Sequence, residues 1–159
     1  MRRSPVRQMI APAVLMGAAL ALAASPLFAA PADDARSRIA GFRELGASFK
    51  TVNDALHNPE PQTILIQMAA RQIVNSSKAL PTWFPAGSGL DSGAKTRAKP
   101  EIWKQAAKFK AAQNVFATQA LLFQKAAQSG MAPAIQAQAR KLGLTCKGCH
   151  DSFRQPGDL

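Results

Sequence analysis

Cysteine occurs only twice in the 159 residues, so at most one disulfide could brace the fold, and the two sit three positions apart where a bridge would close almost no loop. No stretch alternates polar and apolar residues over a strand's length, which argues against a sheet-based core. No internal repeat recurs. Paired carboxylates, a serine–histidine pairing and a phosphate-binding loop are all missing, so the chain is not read as an enzyme. Acidic residues are scarce, with nine against twenty lysines and arginines. Such a basic surface suits acidic proteins, anionic membranes or nucleic acid. The last is set aside for want of any nucleic-acid motif or basic stripe interleaved with aromatics.

A length of 159 residues suffices for one domain with a real core and falls short of two. The first segment differs in character from the rest. Arg2, Arg3 and Arg7 make a basic start, Met9 to Ala24 is apolar and rich in alanine, and Pro26 to Ala30 ends in small residues. That pattern is a secretory signal peptide, expected to occupy residues 1–29 and to be cleaved near Ala29 or Ala30. Its apolar run is shorter than the ~20 residues that span a bilayer, and no stop-transfer pattern follows, so no stable membrane insertion is expected after cleavage. Residues 30–159 then form the mature domain, expected in the periplasm. Three of the twenty basic residues leave with the signal, and seventeen remain against nine acids.

Helical periodicity runs through the mature chain. From Asp33 to about Leu56, Ile39, Phe42, Leu45, Phe49, Val52 and Leu56 recur at three- and four-residue steps. Pro59 and Pro61 break that helix, and a second is expected from Gln62 to Leu80. Residues 81–99, rich in Gly, Pro and Ser around Trp83-Phe84, read as an ordered crossover. Pro100 opens a third helix, with Glu101 at the positive end of its dipole, and Gly130 ends it. Pro133 opens a fourth, which runs to about Arg154. The implied architecture is all-α, an antiparallel four-helix bundle with one long connection.

Near the end of the fourth helix stands Cys146-Lys147-Gly148-Cys149-His150, the attachment signature for c-type haem. On a helix the three residues share a narrow arc, so two thiols reach two vinyl groups on one haem edge while the imidazole rises to the iron. A thioredoxin-like pair would require alternating strands and helices, which are lacking. Zinc would require four ligands, and His57, in the turn after the first helix, is the only other good candidate. The reading is one covalent haem c, held by Cys146 and Cys149 and ligated by His150.

A haem motif at the end of a four-helix chain resembles the class II cytochromes c, and specifically the cytochrome c prime family. The resemblance covers the whole mature chain. It is carried by Arg38-Ile39-Ala40-Gly41-Phe42, by Leu80 to Ser88, by Lys99-Pro100-Glu101-Ile102-Trp103 and by Cys146 to Arg154. The resemblance implies that Arg38 pairs with a haem propionate, that Arg154 lies beside the proximal imidazole, and that Thr96 stands near the other propionate. Ile39 stands where glutamine is common, which removes a polar haem contact there. Low-spin members place a ligating methionine where this chain has Phe42. A phenyl ring has no lone pair to donate, so iron is expected to be high-spin and five-coordinate beneath it.

The function implied is one-electron transfer, binding of small neutral gases such as nitric oxide or carbon monoxide, or both, with a periplasmic redox protein as partner and homodimerisation through the first two helices as a family habit. One alternative is a low-spin electron carrier whose sixth ligand lies elsewhere, for example Met68. Another is a haem-free helical thiol or metal-binding module. An optical spectrum separates the first from the main reading, and a mass measurement separates the second.

Overall fold

The computed structural model describes residues 30–157, so the expected signal segment, residues 1–29, lies outside the described residues. Five α-helices, two short 3-10 turns (Leu80–Trp83 and Leu90–Ser92) and no strand are found among the described residues: α1 (Pro31–His57), α2 (Thr63–Ala79), α3 (Glu101–Lys104), α4 (Ala106–Ser129) and α5 (Ala132–Phe153). The four long ones form the expected all-α four-helix bundle, with α3 as a short prelude to α4. Residues 58–62 join α1 to α2, and Gly130-Met131 join α4 to α5. Connections this short force each pair antiparallel.

Helix ends follow local chemistry. Asp33 and Asp34 stand in the first turn of α1, where the helix dipole favours negative charge. Gly130 takes φ 69°, the left-handed conformation that ends α4, and its N–H donates to the carbonyl of Ala127. Pro133 sits in the first turn of α5, where a missing N–H costs nothing.

The third helix departs from expectation. Periodicity alone predicts one helix from Pro100 to Gly130, yet Gln105 leaves helical geometry (φ −120°, ψ 46°) and splits it into α3 and α4. Nothing in Lys104-Gln105-Ala106 disfavours helix, so the break comes from tertiary contacts. The Trp103 indole N–H is drawn back to the carbonyls of Phe84 and Pro85, both at 3.2 Å, while Ile102 and Phe109 turn into one apolar cluster with Ala98 and Phe153.

The main core lies between α1, α2, α4 and α5, where Val52, Ile66, Ile73, Phe123, Ile135 and Leu142 are fully buried. Each such side chain contributes roughly 1.5–3 kcal/mol of apolar burial. Packing is dense along α1–α2, α2–α4 and α4–α5, whereas α1 and α5 touch only briefly. At one end of the bundle that gap opens into a cavity, roofed by the crossover.

Candidate functional site

The cavity measures about 450 Å³, within the range of sites that bury a cofactor-sized ligand. All seven site residues expected from the sequence, Arg38, Phe42, Thr96, Cys146, Cys149, His150 and Arg154, line it.

On one wall, the last two turns of α5 present Cys146, Cys149 and His150 at spacings of three and four, which places them within about 100° of helix arc. Both thiols are free and partly buried. Burial pushes each up from its ordinary pKa, Cys149 to about 11 with a further push from Cys146. They are therefore un-ionised at neutral pH, unlike the thiolates of a redox pair. His150 is driven the other way. Burial and then the charges of Arg154 and Arg97 lower its pKa, against a smaller opposing pull from Asp151. The imidazole is thereby kept neutral, the form whose nitrogen lone pair can bind a metal.

Across the gap, α1 presents Arg38 and Phe42 one turn apart. Arg38 is only 3% exposed. Its guanidinium donates to the Trp83 carbonyl (3.1 Å), to the Ser88 hydroxyl (2.8 Å) and carbonyl (2.7 Å), and to the Thr96 hydroxyl (3.0 Å), and it lies 4.7 Å from the centroid of Phe84. Burial depresses its pKa, with Asp34 pulling the other way, but a guanidinium stays charged in a protein. Its hydrogen-bond acceptors are all neutral oxygens, and none of the three ion pairs among the described residues includes it. A cation buried among neutral groups is costly, and an anionic group in the adjoining cavity would offset that cost.

Phe42 meets Trp83 and Phe84 edge to face, with centroids 5.1 and 6.1 Å apart. The aromatic lining continues through Phe84–Phe109 (4.7 Å) and Phe109–Phe153 (5.0 Å), which ties α1, the crossover, α4 and α5 around the cavity. Contacts of this geometry add about 0.5–1.5 kcal/mol each beyond area burial.

Residues 96–99 are laced to the end of α5. The Lys99 N–H donates to the Phe153 carbonyl, Ala98 and Arg154 form a bridge, and Arg97 and Gln155 exchange bonds, with the Arg97 Nε 2.8 Å from the Gln155 carbonyl. This lacing brings Thr96 to Arg38 and Arg97 to His150. Arg97, Phe84, Phe109, Phe116 and Gln113 line the cavity although the sequence did not mark them for the site. Phe109 and Phe116 stand seven residues apart, the apolar spacing of an ordinary helix face. Arg97 carried no signal, since its place depends on the lacing.

Two other residues considered from sequence lie elsewhere. Met68 is 54% exposed on α2 and does not line the cavity. The His57 ring bonds the Asn53 carbonyl at 2.6 Å and lies outside the cavity too, so it offers the cysteines no shared metal site.

A family model described as Cytochrome C' matches residues 33–154, most of the chain. The chain belongs to the cytochrome c' family. Among curated relatives, cytochrome c' of Rubrivivax gelatinosus is 33% identical over 129 residues, covering 80% of this chain and 98% of that protein. The crystal structure of cytochrome c' from the same organism superposes with a TM-score of 0.73 at 31% identity, covering 80% of this chain and 99% of that one. A nitric oxide complex of a mutant cytochrome c prime from Alcaligenes xylosoxidans superposes with a TM-score of 0.72 at 25% identity, covering 81% and 99%. The long helices are thus those of a cytochrome c' bundle. No helix among the described residues is long and apolar enough to cross a membrane.

Proposed function

We propose that this chain is a periplasmic cytochrome c' carrying one haem c in the cavity between α1 and α5. Cys146 and Cys149 would form its two thioether bonds and His150 would ligate the iron. The carrying observation is that two free thiols and an imidazole line the same apolar cavity as the buried Arg38, which forms none of the ion pairs among the described residues. That donor set fits a haem, which brings an iron to the imidazole, vinyl groups to the thiols and propionates to the guanidinium. The bound haem supplies one-electron redox chemistry and an iron site for a small gas.

The residues of this chain would tune that chemistry. Arg38 would hold a propionate, with Thr96, its hydrogen-bond partner, alongside. Arg154 and Arg97 withdraw proton affinity from His150 and so temper its donation. Phe42, backed by Trp83 and Phe84, lines the cavity with hydrocarbon and would offer a bound iron no lone pair. Such a lining admits a neutral diatomic such as nitric oxide or carbon monoxide and offers dioxygen no hydrogen bond from the phenyl ring. The nitric oxide complex of the Alcaligenes xylosoxidans relative supports gas binding as a role. No catalytic turnover is assigned.

A homodimer belongs to the same reading. Ile64, Leu65 and Met68 leave an apolar strip exposed on α2, as a contact through α1 and α2 would require. Optical spectra of exported protein test the proposal: ferric and ferrous forms should be high-spin, and carbon monoxide should bind the ferrous form. A low-spin methionine-type spectrum would reject the open site and favour the simple electron carrier.

A further inference from the structure

The gap between α1 and α5 continues beyond the main cavity, and there α5 supplies little bulk to fill it. Gln136, Ala139, Arg140 and Gly143 follow at three- and four-residue steps and so share one stripe of α5, and none of them carries a large apolar side chain. Phe49, Asn53, Leu56 and His57 form the matching stripe of α1. Together the two stripes enclose a second cavity of about 450 Å³, a groove whose lining includes neither the cysteines nor His150.

The lining sorts by chemistry. Its floor is apolar and at least half-buried, with Phe49 and Leu56 from one helix meeting Ala139 and Gly143 of the other. A Cβ on Gly143 would stand 3.4 Å from the tip of the Phe49 ring, so the glycine leaves that edge of the ring uncovered. The rim is polar. Arg140, Gln136 and His57 are exposed, and the His57 Nδ1–H donates to the Asn53 carbonyl at 2.6 Å, which pins the imidazole against its own helix. No carboxylate lines the groove. Asp54, beside Asn53 in sequence, is held by Lys50 at 2.6 Å, and Arg140 belongs to none of the three ion pairs among the described residues.

We propose that this groove binds a small aromatic carboxylate. Its ring lies on Phe49 and Leu56, and its carboxylate is held by Arg140, with the side-chain amides of Asn53 and Gln136 as further donors. A guanidinium presents a planar fork that matches a carboxylate, an apolar floor suits a ring rather than a fully hydrated anion such as phosphate, and the volume falls in the range of small-molecule sites. The proposal stands apart from the haem reading, because Phe49 is the one groove residue that also lines the main cavity.

Isothermal titration calorimetry on the full exported protein tests it, with a naphthalene carboxylate as probe and its neutral carboxamide as control. The carboxylate should bind one to one and saturably, and the carboxamide about tenfold more weakly or worse. R140Q removes the cation, and Q136E places a carboxylate one turn away from it, so each should weaken binding of the acid by about tenfold or more. R71Q, which removes an exposed cation on α2 outside the groove, should leave the affinity within about twofold. Absence of saturable binding would overturn the proposal, as would equal losses in R140Q and R71Q, since net charge alone would then explain them. Binding that R140Q and Q136E leave unchanged would overturn it too, and is the result expected if the probe instead enters a main cavity that holds no haem; failure of the haem reading and failure of the groove therefore remain distinct.

Discussion

The indole of Trp83 lies directly against Gly41. A Cβ built on that glycine would come 2.8 Å from two of the ring carbons, closer than real side chains approach. The same indole backs Phe42, the next residue on α1, so one close approach sets both the seat of the crossover and the covering of the cavity.

Gly41→Ala should therefore be destabilising although alanine is the better helix former. Overpacking costs about 1–3 kcal/mol and exceeds the helix gain of about 0.5–1 kcal/mol. Thermal or urea unfolding of the variant measures the sign, and a stabilised Gly41→Ala would show that the Trp83 contact is slack.

Arg38→Met should cost about 2–3 kcal/mol, because the Ser88 and Thr96 oxygens and the Trp83 carbonyl lose their donor inside the protein. The exposed Arg36→Met change should stay within about 0.5 kcal/mol. Denaturant midpoints report both. The haem-bearing Arg38 variant should also show a shifted reduction potential, as a propionate loses its counter-charge. An unshifted potential with lowered stability would confine Arg38 to bracing the crossover.

Phe42→Met places a thioether where the proposed iron has no protein ligand, and the ferric spectrum should move from high-spin toward low-spin with a weaker affinity for carbon monoxide. Met68→Leu should leave the spectrum unchanged, since Met68 lies outside the cavity. The reverse pattern would assign the sixth ligand to α2.

Much of this was legible in the residues themselves. The helices from Pro31, Thr63 and Ala132 begin and end within a few residues of where proline, glycine and apolar spacing place them. Cys146, Cys149 and His150 were legible as a haem-attachment signature by spacing alone, and the structure places all three on one cavity. Arg38 and Thr96 were legible only through family resemblance, because a single arginine on a helix is ordinarily a solvated charge. The split at Gln105 was hidden because its cause, the pull of Trp103 on the Phe84 and Pro85 carbonyls, is nineteen and eighteen residues away in sequence. Arg97 was hidden for the same reason: it reaches the site only because residues 97–99 bond to Phe153, Arg154 and Gln155.

The claim most directly open to measurement is covalent attachment of one tetrapyrrole at Cys146 and Cys149. Intact-mass spectrometry of the protein, exported from cells that possess haem-ligation machinery and then denatured, should show each chain heavier by one haem and free of titratable thiols. A chain at its bare polypeptide mass, with two thiols open to alkylation, would contradict the account.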